Sequence, residues 1–244
     1  MTTDYRDFHT HVGNWRFDVN HTRIGQIKKE LNAHGFEKFV VMISAPENPE
    51  STHSANITLM REAIENRLDF IYWLDPRVTK LSELDSVASK IKGVKLHPSY
   101  ARTRIDSRKM VKFLEWCSAN SKPLLVHCGR WNKYAAYQYA VDVAVQHELT
   151  LVLAHMGGPA YDIKTNALDY IAKQKLKARL VVDTSTCFQP YLIEKATRIL
   201  GPDNVILGSD YPLYHPRPTA DTILMSSVST RAKRLILRDN YDNL

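Results

Sequence analysis

Ten histidines punctuate this sequence of 244 residues, and five of them fall where a β-strand would end. They are His9 and His11 in DFHTH, His97 in GVKLH, His127 in LLVHC and His155 in VLAH, while Asp210 closes another such run, NVILGSD. One residue separates His9 from His11. Strand side chains alternate with a period of two, so both imidazoles point to one side, Thr10 points to the other, and the pair can chelate. His127 and His155 add two ring nitrogens, and Asp210 adds a carboxylate. Donors of this kind suit zinc, manganese, iron, cobalt or nickel, with one coordination position left for water. Several imidazoles and an acid crowded together without a cation are hard to satisfy by hydrogen bonding. The set is therefore expected to hold a divalent metal, zinc first. A lone strand histidine is usually a hydrogen-bonded core residue. His21, His34, His53 and His147, which fall in helices or loops, are read that way, and His215 is left open.

The elements that must bring these residues together are legible as alternation. Eight short runs rich in apolar and β-branched residues begin at Tyr5, Phe39, Phe70, Gly93, Pro123, Leu149, Arg179 and Asn204. Segments of helical period lie between them, as in IGQIKKELNAHG, where Ile24, Ile27 and Leu31 share a face and Gly35 closes it. Further helices are expected over Ile57 to Arg67, Leu81 to Lys90, Lys109 to Asn120, Tyr134 to His147, Ala167 to Lys177, Tyr191 to Leu200, and after Pro218. Strand alternating with helix is the pattern of a parallel sheet, and eight pairs fill a single (β/α)8 TIM barrel over residues 1–244. The C-terminal strand ends of such a barrel converge on one mouth, where active sites of this fold lie. An open doubly wound sheet would carry a glycine-rich phosphate turn, and no GxGxxG or GxxxxGK[ST] is present.

Composition narrows the field. The chain is 44% hydrophobic and 24% charged, ordinary globular usage that argues against disorder. No run approaches the 18 or so apolar residues of a membrane helix, and the polar N-terminus is unlike a signal peptide. Cys117, Cys128 and Cys187 form no CxxC pair, which fits a reducing compartment, so a cytoplasmic location is expected. The formal charge of +7 permits an anionic substrate or nucleic acid. Its densest segment, RAKRLILR, reads as a solvated face of a terminal helix. A small-molecule, anionic substrate is expected, nucleic acid and membrane are not, and a homodimer is left open.

DFHTH, GVKLHP, LLVHCG, VLAHMGG, VVDTS and GPDNVILGSDYP, in this order along nearly the whole chain, resemble the amidohydrolase superfamily. Within it the likeness is to the amidohydrolase-2 branch, which includes the aminocarboxymuconate semialdehyde decarboxylase-like enzymes. The resemblance implies that His9, His11, His127 and Asp210 bind the metal and that His155 holds or activates a water. It also implies that Lys95 either bridges two metals as a carboxylated lysine or contacts an anionic substrate. Lys95 and His97 share parity, so both should face the mouth. The relatives covered by this resemblance include hydrolases and non-oxidative decarboxylases. A TatD-type phosphodiesterase is more remote, because that type carries a glutamate where this chain has Lys95.

The chemistry expected is hydrolysis of an amide, lactone or ester of a small carboxylic acid, with decarboxylation as the alternative. A divalent metal lowers the pKa of its water from about 15.7 to about 7. Asp210 would take the proton, and His155 would orient the water or stabilise an oxyanion. Arg130 and Arg217 fall in mouth loops where a guanidinium could grip a carboxylate. Thr184 and Ser185 end the seventh strand, where they could meet the substrate or merely close the turn.

Overall fold

The computed structural model describes residues 4–15, 23–129 and 133–244. Its strands are β1 (Tyr5–Asp7), β2 (His11–Val12), β3 (Phe36–Ile43), β4 (Asp69–Leu74), β5 (Gly93–Leu96), β6 (Leu124–Val126), β7 (Thr150–Leu153), β8 (Arg179–Asp183) and β9 (Val205–Ile206). Each pairs in parallel with its neighbour in one sheet, in the order β1, β3, β4, β5, β6, β7, β8, β9, with β2 also on β3. The sheet closes on itself. Phe8 N donates to Leu207 O at 2.9 Å, Asp210 N to His9 O at 2.8 Å and His11 N to Tyr211 O at 2.7 Å. The result is the expected TIM barrel.

The first stave is broken into β1 and β2. Asp7 pairs with Phe39 and His11 with Met42, so four steps of chain face three and the stave carries an extra residue, a β-bulge. Bulges re-aim side chains, and here two consecutive residues serve the barrel interior. Phe8 joins the apolar cluster of Val40, Met42, Ile71 and Tyr241, while His9 enters the mouth.

The helices are α1 (Ile24–Ala33), α2 (Thr52–Glu65), α3 (Leu81–Val87), α4 (Pro98–Ala101), α5 (Val111–Ala119), α6 (Tyr137–Gln146), α7 (Tyr161–Ile171), α8 (Pro190–Leu200), α9 (Pro216–Met225), α10 (Thr230–Arg234) and α11 (Asn240–Asp242). Most lie near their expected places, but α7 sits six residues before the predicted start at Ala167. Its apolar face is Ile163, Ala167, Leu168 and Ile171, a helical spacing that begins earlier than the reading allowed. Further on, Lys177 N and Ala178 N both donate to Ala144 O, which takes that segment out of any helix. The basic run lies on α10 and a π-helical turn, with Arg231 and Arg234 exposed and Leu235, Ile236 and Leu237 buried. Among the described residues no helix is long and apolar enough to cross a membrane.

Outward strand residues such as Phe39 and Val41 pack under the helices; inward ones such as Val40, Leu125, Val152 and Val181 fill the barrel. Tyr241 joins the inner cluster from α11, edge-on to Phe8 with ring centroids 6.0 Å apart. Its hydroxyl donates to Asp69 Oδ2 at 2.8 Å. Tyr241→Phe keeps the packing but removes this bond, and should lower unfolding free energy by about 1 kcal/mol, read as a shift in denaturant midpoint at constant slope.

Candidate metal site

Period two carries chemistry up each stave from the apolar floor. Two residues beyond inward Ile71, Leu125 and Val181 come Trp73, His127 and Asp183. Lys95 is in register with Leu125 on one side and Trp73 on the other, so it sits one layer below His97. That places a lysine only 1% exposed in a ring of largely apolar side chains, and burial brings its ammonium down to about 8.

His9 and His11 face each other through their Nε2 atoms at 3.2 Å, and Asp210 Oδ1 stands 3.3 Å from each. The other ring nitrogens are committed. His11 Nδ1 donates to Ile43 O at 3.1 Å, and His9 Nδ1 donates to Asp183 Oδ2 at 2.8 Å. Both Nε2 atoms are left with lone pairs turned toward a carboxylate oxygen. Three electron-pair donors converging this way call for a cation. Their separations match the edge of a tetrahedron of ligands about 2.0–2.1 Å from zinc, roughly 3.3 Å. Lys95 Nζ approaches the same His9 Nε2 at 3.0 Å, so an ammonium shares the site.

Electrostatics keep the donors ready. Burial lowers His11, and it takes His97 to about 3 and His155 to about 4. Burial, with His97 beside it, holds His127 well below the ordinary imidazole range. Neutral imidazoles are the ligating form. Burial alone would raise Asp210 and Asp183, but facing His9 holds both carboxyls well below the usual range.

The eleven candidate positions do not all meet. His9, His11 and Asp210 form one group whose donor atoms lie within 4.8 Å of one another, and His9, His155 and Asp183 form a second. His127 belongs to neither. Its ring is stacked on His97, centroids 3.9 Å apart at 10°, and its Nδ1 lies 3.2 Å from His155 Nε2. His97 caps α4 and packs on Trp73. Arg130 lies outside the described residues. Arg217 does not face the mouth: it pairs with Asp221 within α9 and lies over the Tyr5 ring at the opposite end of the barrel. Thr184 Oγ1 is spent on Gly208. Ser185 is fully buried and bonded to Asp183 and His155, so it is not a wall of the cavity. That cavity, about 180 Å³, is lined by His9, His11, Lys95 and Asp210 with Trp15, Trp73 and Tyr100.

Sequence reasoning missed Asp183 and Asp7. Asp183 carried the same signal as the histidines, a polar residue ending an apolar run. Asp7 sits two residues before His9, and its Oδ1 accepts His9 N and Ser209 N, each at 3.0 Å, tying the first stave to the loop before Asp210. Burial raises its carboxyl to about 7. Asp7→Ala orphans two buried amides at roughly 1–3 kcal/mol each, an expected loss of about 2–6 kcal/mol. Asp7→Asn, which retains the acceptor oxygen, should lose less than half of that, as equilibrium denaturation would show.

Site residues also sit on unusual backbone. His155, Met156, Thr186 and Asp210 have φ of 59°, 50°, 57° and 64°, the left-handed region that non-glycine residues enter at a cost of about 1–3 kcal/mol. Buried Lys164 helps hold two of these turns, donating to Gly158 O and Pro159 O at 2.8 Å and to Thr186 Oγ1 at 2.9 Å.

A parallel barrel whose C-terminal mouth gathers imidazoles, a carboxylate and a buried ammonium has the architecture of metal-assisted barrel enzymes. The family model described as Amidohydrolase, of the amidohydrolase-2 type, matches residues 39–240, and the chain belongs to that family. No curated protein matches the sequence. Among solved structures, 2,6-dihydroxybenzoate decarboxylase from Rhizobium superposes with a TM-score of 0.76 at 16% identity, over 98% of each chain. A probable 2-pyrone-4,6-dicarboxylic acid hydrolase from Acinetobacter baumannii, with citric acid bound, gives 0.72 at 18% identity over 99% of this chain and 98% of that one. Dihydroxybenzoic acid decarboxylase from a Polaromonas species, with manganese and 2-nitroresorcinol bound, gives 0.72 at 15% over 98% and 96%. At these identities the likeness is one of fold.

Proposed function

We propose that this chain is a metal-dependent hydrolase that opens an amide, lactone or ester bond of a small carboxylic acid. The observation that carries the reading is the pair of Nε2 atoms on His9 and His11, both turned with their lone pairs toward Asp210 Oδ1 at 3.2–3.3 Å. Bound there, a divalent cation, zinc foremost with manganese, iron, cobalt or nickel also suited, supplies an activated water of pKa about 7 and a polarised carbonyl. His9, His11 and Asp210 would hold it, with His127, which lines the same cavity from across the barrel, the further ligand. Asp210 takes a proton from the attacking water at its carboxylate and returns it to the leaving group. His155 accepts a hydrogen bond at Nε2 and so orients that water. Lys95 offers positive charge to the substrate carboxylate from below, and the rings of Trp15, Trp73 and Tyr100 limit the water that can enter. Free, buried Cys117, Cys128 and Cys187 support a reducing, cytoplasmic setting.

A second reading, non-oxidative decarboxylation, is favoured by the same aromatic walls, which suit a planar ring acid of the kind named for the Rhizobium and Polaromonas enzymes. Two measurements separate these readings: metal content by emission spectrometry after chelator-free purification, and a panel of lactones, amides and aromatic acids assayed for both acid release and carbon dioxide. Near one equivalent of metal with hydrolysis supports the first. Carbon dioxide release without hydrolysis transfers the site to the second. Protein that neither carries nor takes up metal removes both.

A further inference from the structure

The hydrogen bonds around Asp183 allow only one arrangement of protons. Asp183 Oδ2 accepts from His9 Nδ1 at 2.8 Å. Asp183 Oδ1 accepts from His155 N at 2.8 Å and from Ser185 N at 3.0 Å. Backbone N–H groups can only donate, so Asp183 Oδ1 stands as an acceptor. Ser185 Oγ lies 2.5 Å from the same Oδ1, so the hydroxyl proton must point there. The serine oxygen then has only lone pairs for its other neighbour, His155 Nδ1, at 2.7 Å. His155 must donate at Nδ1, and its Nε2, without a proton, is left as the acceptor facing His127 Nδ1 at 3.2 Å.

We infer that Ser185, polarised by Asp183, is a positioning residue that imposes the Nδ1–H tautomer on His155, so that this histidine meets the mouth as an acceptor. Ser185 therefore touches no substrate. It does for His155 what Asp183 does directly for His9, and one carboxylate thus sets two imidazoles on different staves. The consequence is specific: in the resting protein His155 can receive a proton at Nε2 but has none to give there. This holds whether the reaction is hydrolysis or decarboxylation, because the proton placement is fixed before any substrate enters.

The test is the ring nitrogen spectrum of the full chain, zinc-loaded and labelled with ¹⁵N-histidine, recorded through two-bond nitrogen–proton couplings near neutral pH. His155→Gln identifies the signals by their loss. His155 is expected with a protonated Nδ1 and a bare Nε2 in the parent, with that preference lost in Ser185→Ala and restored in Ser185→Thr. A parent spectrum with the proton on Nε2 overturns the inference without any variant. An unchanged His155 pattern in folded Ser185→Ala also overturns it, since the serine would then not set the tautomer. Should Ser185→Ala fail to fold, the parent and Ser185→Thr spectra decide: both must show Nδ1–H, and Nε2–H in either rejects the assignment. Zinc content, measured alongside, is expected to stay equal across the three proteins, which keeps this result separate from the identity of the metal ligands.

Discussion

Asp210→Asn should lower turnover by roughly 10²–10⁴-fold, the usual contribution of a positioned acid–base group, while metal occupancy at saturating zinc or manganese stays near the parental value. The asparagine keeps an oxygen where Asp210 Oδ1 now stands, 3.3 Å from both Nε2 atoms. What it loses is the negative charge and the ability to take a proton. The measurement pairs kcat on a substrate found by the panel with metal content of the same samples. A rate that returns close to parental once metal is saturating would make Asp210 a ligand alone and shift the base role to His155.

For Asp183→Asn the expected result is a metal affinity 10–100-fold weaker, the range typical when the partner behind a ligating histidine is altered. The direction follows from the donors already in place. Asp183 Oδ1 receives two backbone N–H groups and a hydroxyl, so the asparagine must put its carbonyl oxygen there. Its NH₂ then occupies the Oδ2 position and points at His9 Nδ1. That ring nitrogen becomes an acceptor, the His9 proton moves to Nε2, and the lone pair facing Asp210 disappears. Competition against a chelator of known affinity measures the change. An affinity within twofold of the parent would mean that His9 does not bind metal through Nε2.

The staves were easy to read because a parallel barrel buries both faces of each strand, which turns strands such as FVVMI and LVVD into near-continuous apolar runs. Parity then placed Lys95 and His97 on the inner side, and the structure has both lining the cavity. The start of α7 was missed because the periodic residues Ile163, Ala167 and Leu168 follow directly on the turn at Gly158 and Pro159, and no side chain caps the helix. Arg217 was misplaced because its position after the last strand says nothing of the Asp221 one turn on that holds its guanidinium. The bulge at Phe8 leaves no mark in DFHTH. Asp183 was hardest to weigh, since everything it does depends on His9, His155 and Ser185 arriving from other staves, contacts that no local pattern encodes.

Lys95 lies beneath the mouth among side chains that screen charge poorly. With the imidazoles neutral, Asp183 and Asp210 leave that end of the barrel one unit negative against the single ammonium, and a carboxylate ligand is repelled. A divalent cation turns the balance to one unit positive. Loading of the ion and affinity for an anionic ligand are therefore two sides of one coupling free energy: whatever factor the ion adds to ligand binding, the ligand returns to retention of the ion. On the proposed function half-assembly would be disfavoured, because the ion and the acid would each hold the other in place.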